Sequence, residues 1–177
     1  MNLWPLRAER LPLVFALTTA FEGIRAGAGT FRLLLDLPAR HRVGPVAFAA
    51  FSRATDLSTP GIAFYSVYGF GGALLTAATW IASSRTRAPL PVRTLAGAAC
   101  ICSLLVLVLT TQAAPLMWSV GSAPDDPTLL ARLLDRFTFW TTLRIGLVDL
   151  SFLAGLSALT MLALPPLSRG SDQSSGA

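Results

Sequence analysis

The chain has 177 residues, of which 53% are hydrophobic and only 13% charged. A soluble domain carries about 25% charged residues, and a chain this short has too little interior to keep so much apolar surface from water. These figures exclude a disordered chain, a fibrous repeat and an ordinary cytosolic enzyme, and they point to a protein embedded in a lipid bilayer. The formal charge is +5, and every one of the 14 basic residues is an arginine. The arginines are scattered between apolar blocks instead of forming one basic stripe. That argues against a nucleic-acid partner and for a role in membrane orientation and contact with anionic lipid head groups. Arginine without lysine fits the coding bias of a GC-rich genome, and a bacterial plasma membrane is the expected location.

A membrane-spanning helix needs about 20 mostly apolar residues. Four stretches meet that need: residues 11–35, 61–81, 95–114 and 143–164. Backbone polar groups in lipid must be satisfied within each segment, so the predicted fold is all-α, an integral membrane four-helix bundle. Arg7 and Arg10 precede an apolar run in the manner of a signal peptide. The run continues through Glu22 and Arg25 without a small-x-small cleavage site, and it reads as the first span.

In that span Thr18, Glu22, Arg25, Gly29, Arg32 and Asp36 follow one another at intervals of four, three, four, three and four, which places them on one helical stripe. Ionisable groups at the bilayer centre cost about 2.5–3.5 kcal/mol and survive only when paired or turned inward. Two readings follow. The stripe lines a charged, partly wet pocket, or it is a self-neutralising Glu22–Arg25 pair with Arg32 snorkelling toward the surface. Next, His41 falls in an exposed basic turn, Ala39-Arg40-His41-Arg42. A lone histidine without a carboxylate cluster predicts no metal site. Residues 45–57, with Phe48 and Phe51 ahead of Arg53 and Asp56, predict a short helix lying in the outer interface.

The second span carries Tyr65, Tyr68, Gly69, Gly72, Thr76 and Thr79 on roughly one face. The tyrosines read either as interfacial belt residues or as the lining of a cavity for an aromatic ligand. Between the second and third spans, Arg85, Arg87 and Arg93 occur with no acid. That marks this loop as cytoplasmic and places both termini on the cytoplasmic side. Cys100 and Cys102 are two apart on a helix and point away from each other, so they predict neither a disulfide nor a shared metal. After a turn at Ser122-Ala123-Pro124-Asp125, Asp126 suits a helix cap and Pro127 a first helical position. Leu129, Leu133, Phe137 and Trp140 then repeat at helical spacing, so this helix is expected to run unbroken into the fourth span and stand proud of the membrane. Arg144 and Asp149 lie five apart, about 140° around the helix, and do not pair well together. Asp149 therefore needs a partner from another span, and Arg25 is the expected one. The tail, residues 165–177, reads as disordered.

These features resemble the anthrone oxygenase-like family of small four-span membrane proteins. The matching residues are Ala26-Gly27, Pro38, Arg53-Ala54, Pro60, and Leu134 through Arg144 with Trp140; the resemblance covers residues 11–164. The chain departs from it at Thr141, where the family's outer helix commonly carries a histidine three residues before the arginine. The resemblance implies oxygen insertion without metal, flavin or other cofactor. Glu22 or Asp149 would be the base, Arg25 or Arg144 would stabilise the anion, and Tyr65, Tyr68 and Trp140 would contact a hydrophobic aromatic or quinone-like molecule. The alternative is a non-catalytic membrane component, either a partner-binding subunit or a small carrier acting as a homo-oligomer.

Overall fold

The computed structural model describes residues 8–164, and every regular element within them is helical. A 3-10 turn at Ala8–Arg10 leads into α1 (Leu11–Phe31). After it come α2 (Leu37–Val43), α3 (Pro45–Ala54), α4 (Thr59–Arg85), α5 (Leu90–Ser122) and α6 (Pro127–Ala163). Three of these helices, α4, α5 and α6, are long and apolar enough to cross a membrane. Their outward faces carry large apolar side chains such as Val67, Leu74, Ile101 and Leu153, a surface suited to lipid and costly in water. α1, with Glu22 and Arg25 in its middle, falls outside that set.

α5 and α6 pack along each other, α6 also packs on α1, and α4 packs on α5 and α1, so the four long helices close into a ring. α2 and α3 sit at one end, where Leu37, Phe48 and Ala49 pack with Met117, Val120 and Leu134. At the opposite end Leu11 and Phe15 pack with Ala82, Val92, Ala96 and Ala158. Between these apolar ends lies a layer of buried polar side chains, Glu22, Arg25, Ser103 and Ser151 among them. The alanines, serines and glycines at the seams let the backbones approach closely, as association in lipid requires.

Local chemistry explains several helix boundaries. The Asp126 carboxylate accepts from the Thr128 N–H at 2.8 Å and the Leu129 N–H at 3.3 Å. Pro127 occupies a position where its missing N–H costs nothing, and α6 then runs unbroken for 37 residues. The predicted short helix after residue 45 is α3. The basic stretch around His41 is a correction, because it is the last turn of α2 and not a turn between elements. The chain stays helical past Pro38 because residues Arg32–Asp36 widen into a π turn. That wider turn makes room for a proline ring that would otherwise collide with the preceding turn. Helix ends only at Gly44, whose φ of 85° turns the chain into α3. The predicted tail and Arg7 lie outside the described residues.

Two glycines are required by close approach. A β-carbon on Gly72 would overlap the Arg25 guanidinium, and one on Gly61 would overlap the Thr55 carbonyl. Gly61 thereby lets the 55–58 loop fold down onto the start of α4, which brings Asp56 to Tyr65. Since Arg25 is fully enclosed, it cannot yield without leaving its partners. Gly72→Ala is expected to lower stability by about 1–3 kcal/mol. Gly27→Ala, where nothing lies within 4 Å of the added carbon, is expected to change it by less than about 1 kcal/mol and in the stabilising direction. Thermal melts of the two variants in detergent check the contrast.

Candidate functional site

The central polar layer is built around one cation. Arg25 and Glu22 are 0% and 1% exposed. One turn apart on α1, they meet with Arg25 Nη1 at 2.5 Å from Glu22 Oε1. The same nitrogen lies 3.5 Å from Ser103 Oγ on α5, and Ser103 is 3.1 Å from Ser151 Oγ on α6. From α4, the Tyr68 hydroxyl donates to the Arg25 carbonyl, and the Tyr68 ring covers the guanidinium at 5.1 Å. α4 and α5 therefore touch this pair on α1 directly, and α6 reaches it through Ser151 and Ser103. Glu22 Oε2, Thr19 Oγ1 and Arg25 Nε and Nη2 have no hydrogen-bond partner. Glu22 and Thr19 border a cavity of about 10 Å³ shared with Thr18, Thr79 and Ser151, room for a single water and no larger ligand. The Thr18 and Thr79 hydroxyls close one side of it at 2.7 Å.

A second space is of a different scale. Where α4 and α5 part toward the α3 end, a cleft of about 650 Å³ opens between them, with α6 behind it. That volume is in the range of small-molecule sites. Its walls are mostly apolar, with Ile62, Phe70, Leu107, Met117, Trp118 and Phe137 among them. Polar groups gather in one part: Arg32, Asp56, Tyr65, Tyr68, Thr141 and Arg144. Arg32 and Asp56 form a two-pronged pair, with Nη1 at 2.8 Å from Oδ1 and Nη2 at 2.5 Å from Oδ2. The Tyr65 hydroxyl donates to Asp56 Oδ1 at 2.9 Å and accepts from Arg32. Within α5, Pro115 on the cleft wall deprives the Thr111 carbonyl of its usual helical donor.

The α3 region holds this arrangement from outside. Ser58 caps α4, its Oγ accepting from the Gly61 N–H at 3.2 Å, so the loop ends where Asp56 can reach Tyr65 one α4 turn later. Arg53 donates to the Ala123 and Val120 carbonyls at 2.8 and 3.2 Å and pairs with Asp125 at 2.9 Å. It ties α3 to the turn between α5 and α6.

Of the residues singled out from sequence, Tyr65, Tyr68 and Arg144 line the cleft. Glu22 and Arg25 lie in the closed layer beside it. Asp149 does not meet Arg25, which corrects the expected pairing: both of its carboxylate oxygens lie 3.5 Å from Thr30 Oγ1, on the α1–α6 seam. Five residues separate Asp149 from Arg144, and that rotation carries it away from the cleft. Trp140 does not line the cleft. It packs against the core at the α3 end and stacks edge-on to Phe139 with ring centres 5.2 Å apart. Asp56, Thr141 and Trp118 also line the cleft and were not among the expected ligand contacts, and Arg32, from the stripe read as pocket-lining or snorkelling, joins them. Arg32 and Asp56 are 24 apart in the chain, and only the folded 55–58 loop joins them. Among the described residues no three His, Cys, Asp or Glu side chains cluster as metal ligands.

Removing one partner of a buried ion pair leaves the other charge stranded, whereas replacing both removes the cost. Glu22→Gln or Arg25→Met alone is expected to lower stability by about 3–5 kcal/mol. The double replacement Glu22→Leu with Arg25→Met is expected to cost distinctly less. Unfolding in detergent, followed by circular dichroism, separates the three.

Compared with known proteins, the chain matches no family model, no curated protein and no solved structure.

Proposed function

We propose that this chain is a four-span integral membrane protein that binds a hydrophobic small molecule, of aromatic or quinone-like shape, in the cleft between α4, α5 and α6. The observation that carries this reading is the cleft: about 650 Å³, apolar on most of its walls, with two arginines and two tyrosines gathered in one part of it. Its rim residues Ile62, Phe70 and Trp118 are exposed, so a ligand would enter sideways from lipid.

The fourth span in this reading is α1. Its charges are turned fully inward, while Leu13, Leu17, Ile24 and Phe31 face outward. Lipid would therefore meet an apolar helix despite Glu22 and Arg25. With the arginine-rich α4–α5 connection on the cytoplasmic side of a bacterial plasma membrane, both termini are cytoplasmic. At roughly 1.5 Å per residue, α6 exceeds a hydrocarbon core of about 30 Å, so its N-terminal part stands above the membrane beside α2 and α3.

Oxygenase chemistry of the kind the family resemblance implies needs a base that reaches the ligand. Glu22 and Asp149 do not line the cleft, but Asp56 does. A catalytic role would pass to Asp56, with Arg144 positioned for the developing anion. If the bound molecule is oxidised, oxygen uptake by the purified protein is expected to vanish in Asp56→Asn and persist in Asp149→Asn. Equal rates in both variants would leave the cleft a binding site only.

Binding itself is read from Trp118. A soluble quinone is expected to quench its share of the emission from the chain's four tryptophans, and that share of the quench is expected to disappear in Trp118→Phe. Ala114→Phe, which fills the cleft from α5, is expected to weaken binding at least tenfold, about 1.4 kcal/mol. A quench that neither substitution reduces would place the ligand elsewhere. The span count is tested with single cysteines at Glu9 and Asp126 in a Cys100→Ala/Cys102→Ala background. Four spans put them on opposite sides of the membrane, so an impermeant maleimide added to intact cells labels only the second. Labelling of both would leave three spans.

A further inference from the structure

The arginines on the cleft wall are not equivalent. Arg32 is neutralised by Asp56 through two contacts, and Tyr65 completes that cluster. Arg144 takes part in no ion pair or hydrogen bond among the described residues. The wall therefore carries one positive charge in excess: two arginines against one aspartate. One turn before Arg144, on the same face of α6, Thr141 is only 2% exposed, and its hydroxyl has no partner. The neighbouring Thr138 and Thr142 both return their hydroxyls to their own helix, at 2.7 and 2.9 Å. A lone buried hydroxyl and an uncompensated guanidinium, side by side at membrane depth, are each costly and would be relieved by the same group.

We infer that Arg144 and Thr141 form a recognition site for a singly charged acidic head group, and that the ligand of the cleft is an acidic amphiphile, an apolar body ending in a carboxylate-type anion. The inference rests on the binding reading above and deepens it. Arg144 supplies a forked, always-charged donor, Thr141 a second donor, and Tyr68 shapes the floor, its own hydroxyl being committed to the Arg25 carbonyl. The apolar body lies along Leu107, Phe70 and Trp118 toward the rim. A dianionic head would overfill a site with one charge in excess, and a neutral head would leave Arg144 unpaired.

The test compares pyrene-1-butyrate with pyrene-1-butanol, which share a flat body and differ in the charge of the head, on protein in nanodiscs of zwitterionic lipid. Energy transfer from Trp118 to pyrene, taken as the difference between the protein and its Trp118→Phe variant, reports occupancy. The acid is expected to bind about tenfold more tightly than the alcohol. Arg144→Gln is expected to bring the ratio to about one, and Arg144→Lys, which keeps the charge, to retain most of it. Thr141→Val is expected to weaken the acid severalfold and leave the alcohol unchanged. Equal affinity of wild type for acid and alcohol would overturn the charge recognition while leaving the cleft a binding site. So would a loss of both probes in a folded Arg144→Gln protein that Arg144→Lys restores for neither. Absence of transfer from either probe would overturn the binding reading itself. Nanodiscs doped with phosphatidylglycerol identify the source of the head group: displacement of the acid assigns it to an anionic phospholipid, and retention assigns it to a free acid. Both of these results support recognition of the anion.

Discussion

The structure is organised around a guanidinium held where water cannot reach it. Arg25 is enclosed by α1, α4, α5 and α6, and each helix contributes something it needs: the Glu22 carboxylate, the space left by Gly72 and the face of Tyr68, and the Ser103 hydroxyl backed by Ser151. A charge in an apolar interior cannot be left without partners, so the register of the four helices is tied to this one point. Sliding any helix by a turn would put bulk where Gly72 is or remove a hydroxyl that the layer uses. Apolar packing at the two ends holds the ring closed, but it is tolerant of small shifts. The ion pair is not.

The same residue types serve a different purpose a short distance away. In the central layer the cation is matched, the cavity holds no more than a water, and the arrangement is closed. In the cleft Arg32 is matched by Asp56 and Tyr65, but Arg144 is not matched, and the space beside it is large. Whether a polar cluster is structural or available to a ligand is decided here by the pairing of its charges and by adjoining volume. Tyr68 joins the two clusters, since its ring lies on Arg25 while its flank borders the cleft. At the cleft's end, Arg53 clamps the α3 region to the end of α5 and the turn that follows it.

Much of the helical layout was legible in the residues. The cap at Asp126–Pro127, the unbroken final helix, the short helix after Pro45 and the Glu22–Arg25 pair all arise from interactions within a few positions, and spacing reports those directly. The failures were of another kind. His41 was read as part of an exposed basic turn, and the π turn at Arg32–Asp36 that keeps the chain helical past Pro38 leaves no mark in composition. Asp149 was assigned to Arg25 by depth alone, although their azimuths on two different helices were unknown. Trp140 shares a helical stripe with Phe137, yet only Phe137 reaches the cleft. Arg32 was left between lining a pocket and snorkelling, and Asp56 was placed with the interfacial helix, because nothing local connects residues 24 apart.

By itself, then, the sequence determined the class of molecule: helices, their approximate limits, an apolar exterior, and charges in the first and last long segments that demand partners. Those properties follow from hydropathy and from contacts three or four residues apart. The tertiary structure alone decided which charges are satisfied. It buried Glu22 with Arg25, folded Asp56 onto Arg32, turned Asp149 to Thr30, and left Arg144 and Thr141 facing an open cleft. That outcome depends on how separate helices are rotated and how far they diverge, which is set by packing across the whole ring and cannot be read along any one strand of it.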